Sequence, residues 1–219
     1  MNKIQQRALE AAKIEQKLQE ARLELALHQI KPHFLQNALM SIKVLCRTRP
    51  KEAEQAVYDF AVFLRGNMNA LESAEMILFR EECKTIERYL HIEKMRFGER
   101  LQVQWDLQEE KFQIPPLTIQ PLVENAVCHG ICQKMEGGTV QIRSFRKNGE
   151  ICVQILDDGA GFDTEKLKDA DGIAIRNLKL RLKEFLNADL EIESRKGEGC
   201  RQTIHIPWEE TEDENYSDR

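Results

Sequence analysis

No stretch of this 219-residue chain is apolar for long enough to cross a bilayer. Runs such as Ala61-Val62-Phe63-Leu64 fall far short of the ~18 residues a span requires. The start also lacks the charged-then-apolar pattern of a signal sequence. These absences point to a soluble, cytoplasmic piece. Aromatic residues are scarce, at 6%, while 32% of residues are charged, which favours long exposed helices. Basic charge is not in excess: the net charge is −5. That surplus lies in the end segment 209–219, where Glu209, Glu210, Glu212, Asp213, Glu214 and Asp218 outnumber Arg219. The balanced body excludes a nucleic-acid footprint, and the acidic end reads as a disordered tail. The six cysteines form no CxxC pair. Cys128, His129 and Cys132 alone have ligand-like spacing, and they read better as small buried groups on one helix face than as a zinc site.

What is present is enough apolar material, 42%, for a packed core. Residues 1–30 carry a heptad repeat: Ile4, Ala11, Leu18 and Leu25 fill one column, and Arg7, Ile14, Ala21 and His28 the other. The repeat opens at Met1 without a cap, as expected of a helix that begins upstream in a longer protein. Pro32 falls at the next seam position and should kink the helix. Apolar periodicity then resumes through Phe34, Leu35, Ala38, Leu39, Ile42 and Leu45 until Arg49-Pro50 stops it. A second amphipathic helix follows, with Ala53, Ala56, Val57, Phe60, Phe63 and Leu64 on one face. Two such helices make a hairpin, and two hairpins a four-helix bundle. The polar stretch from Gly66 to Glu75 reads as a hinge.

Beyond it strands and helices interleave. Met76–Phe79 and Leu101–Leu107 read as strands around a helix over Arg80–Phe97. A further helix is expected to start at Pro115-Pro116 and run to about Ile131. Asn148-Gly149 joins the β-rich runs Thr139–Arg146 and Ile151–Leu156 as a hairpin. A loop from Asp157 leads to a helix over Ile173–Leu186. The strands Leu190–Ser194 and Arg201–Ile206 finish the domain. This is an α+β sandwich following a helical hairpin. The expected domains are 1–72 (coiled coil and hairpin), 76–208 (sandwich) and 209–219 (tail).

Three features of the sandwich can act together. Asp157, at a strand end, can accept a hydrogen bond from an exocyclic amine such as adenine N6, and Gly159 and Gly161 let backbone approach a ligand. Gly172 opens a helix whose N–H groups suit phosphate. The Asn125 side-chain oxygen is a hard donor suited to Mg²⁺. Singly, each is an ordinary turn, loop or capping residue; the signal is their conjunction.

With the first part of the chain, these residues resemble the LytS/YesM-type sensor histidine kinases. Leu27-His28-Gln29-Ile30-Lys31-Pro32-His33-Phe34-Leu35-Gln36-Asn37 is similar to the family's histidine box. Ile114-Pro115-Pro116-Leu117 through Gln120-Pro121-Leu122-Val123-Glu124-Asn125-Ala126, closing with His129-Gly130, is similar to its N box. Asp157–Phe162, Gly172–Asn177 and Gly197-Glu198-Gly199 match its glycine boxes. Gln36, Asp158, Ala174 and Cys200 depart from the usual pattern.

The resemblance implies a dimerising histidine hairpin followed by a Bergerat-type ATP-binding domain. It implies His33 as phosphoacceptor, Asn125 as magnesium ligand and Asp157 as adenine partner. Gly159, Gly161, Gly172, Asn177, Gly197 and Gly199 would shape the nucleotide site. Asn37, one turn after His33, is placed to orient the imidazole or a water. Phe34 stands where an acid could have followed the histidine, so no general base is named. A neutral imidazole keeps one lone pair for attack on phosphorus, and phosphoryl transfer depends mainly on positioning and charge neutralisation.

The implied partners are a second copy of the chain and a response-regulator receiver domain. Membrane attachment would come only through an upstream sensor segment. Hydrolytic ATPases of the gyrase type share the sandwich but place a glutamate one turn before the asparagine. Here that position is Pro121, and Glu124 lies about 100° round the helix. A catalytically weak dimeric scaffold that binds ATP structurally is the remaining alternative.

Overall fold

The computed structural model describes residues 32–72, 75–163 and 173–208. The heptad segment, Gly172 and the acidic end lie outside them. Helix α1 (Pro32–Thr48) stops where Arg49 precedes Pro50, and Pro50 opens α2 (Pro50–Glu72). Proline suits a first helical turn because the N–H it lacks would have no partner there. In α1, Phe34, Ala38, Ile42 and Leu45 are buried; Ala53, Ala56 and Phe63 are buried in α2.

Two expectations fail along this hairpin. Gly66 to Glu75 is not a hinge, because α2 continues to Glu72. Tertiary packing overrides the weak propensity there: Asn67 is buried, and its Oδ1 accepts from the Gln120 amide at 2.8 Å. Leu39 and Val57 do not join the packed face but stand 56% and 51% exposed, beside Met40, Val44 and Tyr58. α1 and α2 pack on each other and on the helix that carries Tyr89, yet the stripe they bury is narrower than their apolar pattern.

Strand β1 (Ile77–Leu78) leads into α3 (Phe79–Phe97), then β2 (Leu101–Leu107) and β3 (Gln113–Ile114). β1 and β3 pair antiparallel, and Phe79 stacks on Phe112 at 4.6 Å between ring centroids. The remaining elements are α4 (Gln120–Asn125), β4 (Gly138–Lys147), β5 (Glu150–Asp157), α5 (Ile173–Leu186), β6 (Asp189–Arg195) and β7 (Gly199–Pro207). The main sheet has the order β2-β4-β5-β7-β6, with β2 parallel to β4 and all other pairs antiparallel. Asn148 and Gly149, at φ 54° and 77°, make the expected tight turn between β4 and β5.

Alternation along the strands sends Val140, Ile142, Ile151, Val153, Ile155, Ile204 and Ile206 inward. There they share one core with Ile86 and Leu90 of α3, Leu122 and Val123 of α4, and Leu178 and Leu182 of α5. Full burial of such a side chain contributes about 1.5–3 kcal/mol. The same core reaches the hairpin through Phe34, Phe63 and Tyr89, whose rings pack 5.1–5.9 Å apart.

The helix expected from Pro115-Pro116 begins later, at Gln120, with Pro121 in its first turn. Leu117 adopts φ 57°, which no helix accommodates, and the Thr118 hydroxyl donates to the Pro115 carbonyl at 2.5 Å. α4 also changes character after Asn125. Ala126–Gly130 form one π turn, and Ile131–Gln133 a 3-10 turn, instead of a helix continuing to Ile131.

Candidate functional site

The loop after β5 is where the end of the N box meets the first and last glycine motifs. Asp157 ends β5, 8% exposed, and its Oδ1 accepts the Gly159 N–H at 3.0 Å. The π turn brings Gly130 against this carboxylate; a Cβ there would overlap Oδ1 of Asp157. Single π turns recur at functional sites because they re-aim the chain beyond them. The Ala160 N–H donates to the Gly130 carbonyl at 3.1 Å, and the Ala160 carbonyl accepts the Gly197 N–H at 2.7 Å. Segments 30 to 70 residues apart, the end of the N box and two glycine boxes, are thereby linked in one hydrogen-bonded chain.

Gly199, at φ 86°, passes so close to the Asp157 carbonyl oxygen that a Cβ would collide with it. Gly161 likewise packs on the Arg195 carbonyl, whereas Gly197 faces open space in the β6–β7 turn. Asp158 closes the same loop: its Oδ1 accepts the Thr139 N–H at 2.7 Å, and its carbonyl accepts from the Lys134 ammonium at 2.8 Å.

Burial raises the Asp157 carboxyl from 3.8 to about 6; the Gly159 N–H works against this, and the neighbouring Asp158 adds to it. Asp157 also borders a cavity of about 520 Å³, shared with Ser194, Gly199, Cys200 and the open-face residues Leu156, Glu193 and Arg201. That cavity runs along the end of the sheet, and no N-box residue lines it. Asn125 is half-buried at the last position of α4, immediately before the π turn. Asn177 is exposed one turn into α5.

The described part of the histidine motif, Pro32–Asn37, is placed elsewhere, on α1. His33 is exposed, and the Asn37 amide nitrogen lies 3.0 Å from its Nδ1 and 3.2 Å from its Nε2. Only the ring nitrogen without a proton can accept from that amide. Phe34, the next residue, turns inward onto Tyr89, whose hydroxyl lies 3.9 Å from the Cys128 sulfur in the π turn. The two motif regions thus share a packed connection.

Sequence reasoning missed the buried polar groups that seat α4. Glu82 of α3 is 2% exposed, and its Oε1 accepts the N–H groups of Ile119 and Gln120 at 2.6 and 3.0 Å. It supplies from another helix the cap that α4 lacks in its own sequence. Burial raises the Glu82 carboxyl from 4.5 to about 7, with the two N–H groups and Arg181 opposing the rise. Arg181 in turn donates to the Pro116 carbonyl. Gln120 Nε2 donates to Asn67 Oδ1 of the hairpin and to Glu124 Oε1, each at 2.8 Å. One signal was available: Glu82 shares its helix face with Phe79, Cys83, Ile86 and Leu90, where a carboxylate must have partners.

Residues 21–101 match the family model described as histidine kinase. Residues 116–210 match that of histidine kinase-, DNA gyrase B-, and HSP90-like ATPases. The chain is 36% identical to YwpD of Bacillus subtilis over 203 residues, covering 88% of this chain and 73% of that protein. It is 33% identical to the sensor histidine kinase BtsS of Escherichia coli K12, covering 87% of this chain and 34% of BtsS. To the sensor protein LytS of Bacillus cereus it is 30% identical, covering 90% and 36%. It therefore spans about a third of the length of those two sensors. A solved histidine kinase domain, from the Erythrobacter litoralis EL346 blue-light activated kinase, shares the fold at TM-score 0.50 and 18% identity, covering 85% of this chain and 93% of that one. With His33 and Asn37, the N box and the Asp157–Phe162 and Gly197–Gly199 motifs held in one folded unit, the chain belongs to the LytS-type sensor histidine kinases.

Proposed function

We propose that this chain is the phosphoacceptor and nucleotide-binding core of a two-component sensor kinase, with residues 1–72 as the dimerising, histidine-bearing part and 76–208 as the ATP-binding part. A ring nitrogen of His33 attacks the γ-phosphorus of ATP, ADP leaves, and the phosphoryl group later passes to an aspartate of a response-regulator receiver domain. The observation that carries this reading is His33 itself: exposed, held through its ring by Asn37, on a hairpin whose core is continuous with the ATPase-type sandwich.

The donor set fits the implied ligands. Asp157 offers a nearly buried carboxylate to an exocyclic amine, and Asn125 offers an amide oxygen to Mg²⁺, which would neutralise phosphate charge. Gly159, Gly161, Gly172, Gly197, Gly199 and Asn177 complete the proposed nucleotide-binding set. Asn37 orients the imidazole and must release its lone pair before attack. The exposed stripe of Leu39, Met40 and Val44 on α1 with Val57 and Tyr58 on α2 supports a homodimer through these helices. No helix among the described residues is long and apolar enough to cross a membrane. A cytoplasmic position, with any membrane attachment through an upstream segment, fits this reading.

Incubation with γ-labelled ATP and Mg²⁺ tests it. Acid-labile, alkali-stable label should appear on the parent chain and vanish in His33→Gln and in Asn125→Ala. Asn37→Ala should slow labelling roughly tenfold without changing ATP affinity. Label that persists in His33→Gln would overturn the assignment of the acceptor.

A further inference from the structure

The face of the sheet turned away from the helices carries a second cluster of reactive side chains. β5 and β7 pair so that Cys152 lies opposite His205, with Glu150 two residues before Cys152 on the same face of β5. His205 Nδ1 is 3.0 Å from Glu150 Oε2 and 3.9 Å from the Cys152 sulfur. The three donor atoms all lie within 4.8 Å of one another. We propose that Glu150, Cys152 and His205 form a binding site for a thiophilic divalent cation of the zinc class.

The distances suit such an ion. Tetrahedral zinc takes sulfur at about 2.3 Å and nitrogen or oxygen at about 2.0–2.2 Å, which sets N···O near 3.3 Å and N···S near 3.6 Å. The two separations from His205 differ from these by about 0.3 Å each, and the Cys152 sulfur lies within 4.8 Å of the Glu150 carboxylate, where tetrahedral zinc sets about 3.5 Å; side-chain rotation closes the difference. The donors are also of the right kind: a thiol, an imidazole and a carboxylate, of which the thiol gives up its proton on binding.

Glu191 of β6 supplies a further feature of metal sites. Its Oε2 lies 3.5 Å from His205 Nε2. A carboxylate on the far ring nitrogen holds the proton there and turns the Nδ1 lone pair towards Cys152 and Glu150. Cys152 is buried while Glu150 and His205 are half-exposed, so the fourth coordination position opens to solvent. This cluster sits at the Glu150–Pro207 end of the β5–β7 pair, whereas Asp157 lies at the other end, opposite Cys200. Metal there staples two strands without occupying the nucleotide residues.

Metal-stripped chain titrated with Co²⁺ tests the site. The expected result is tetrahedral d–d absorption with a thiolate-to-cobalt charge-transfer band, displaced by Zn²⁺. Cys152→Ser should remove the charge-transfer band, and Glu191→Gln should weaken binding about tenfold while leaving the spectrum tetrahedral. The double variant Cys128→Ser/Cys132→Ser should keep the band. If Cys152→Ser unfolds the chain, His205→Gln provides the second arm, with an expected loss of cobalt binding and an unchanged circular dichroism spectrum. Absence of the band in the parent, its survival in either Cys152→Ser or His205→Gln, or its loss in the Cys128/Cys132 variant would overturn the proposal.

Discussion

Glu82 offers the sharpest test of how the N-box helix is held. Its carboxyl is raised from 4.5 to about 7, because burial penalises the charge more than two N–H donors and Arg181 reward it. Between these pH values the folded chain keeps a proton that the unfolded chain has lost. Stability from this group is therefore fully present below pH 4.5, falls as pH rises through the window, and is gone above about 7. At 1.36 kcal/mol per unit, the change is roughly 3 kcal/mol.

Glu82→Gln keeps an amide oxygen for the Ile119 and Gln120 N–H groups but does not titrate. The stability difference between parent and Gln variant should therefore shift by about 3 kcal/mol across the window, increasingly in favour of Gln as pH rises. Glu82→Ala leaves two buried N–H groups unpaired, costing about 1–3 kcal/mol each at every pH. Urea unfolding of the three proteins at pH 5, 6, 7 and 8, followed by circular dichroism, measures these differences. A parent-minus-Gln difference that stays constant with pH would refute the reasoning.

The nucleotide and dimer readings make their own predictions. Asp157 accepts from adenine best when ionised, so ATP affinity should fall as pH drops below about 6, approaching tenfold per unit at the acid end. Asp157→Asn should bind weakly at all pH values, as read by fluorescence of a labelled nucleotide. Gly199→Ala, forced into φ 86° and against the Asp157 carbonyl, should lose about 1–3 kcal/mol in thermal or urea unfolding. Val44→Glu, on the exposed stripe of α1, should leave the fold intact and shift sedimentation towards monomer.

Much of the fold was legible because its signals are local. Pro50 marks a helix start, Asn148-Gly149 marks a tight turn, and the alternation in Ile151-Cys152-Val153-Gln154-Ile155 marks a strand with one buried face. Each depends on dihedral preferences or side-chain period within a few residues. The candidate site was legible for a different reason: its residues sit in recognisable short motifs. Asp157 does lie at a strand end, and Ile173 does open a helix, as their patterns required.

What only the tertiary structure decided are the pairings between distant segments. Composition alone could not tell that Glu82 of one helix caps another nearly forty residues on. Nor could it show that Asn67 stays helical because Gln120 partners it, or that Leu39 and Val57 face outward. Cys152 and His205 are 53 residues apart in sequence, and neither lies in a ligand motif. They meet because the register of β5 against β7 places them opposite one another, and that register is set by which faces of both strands the core buries.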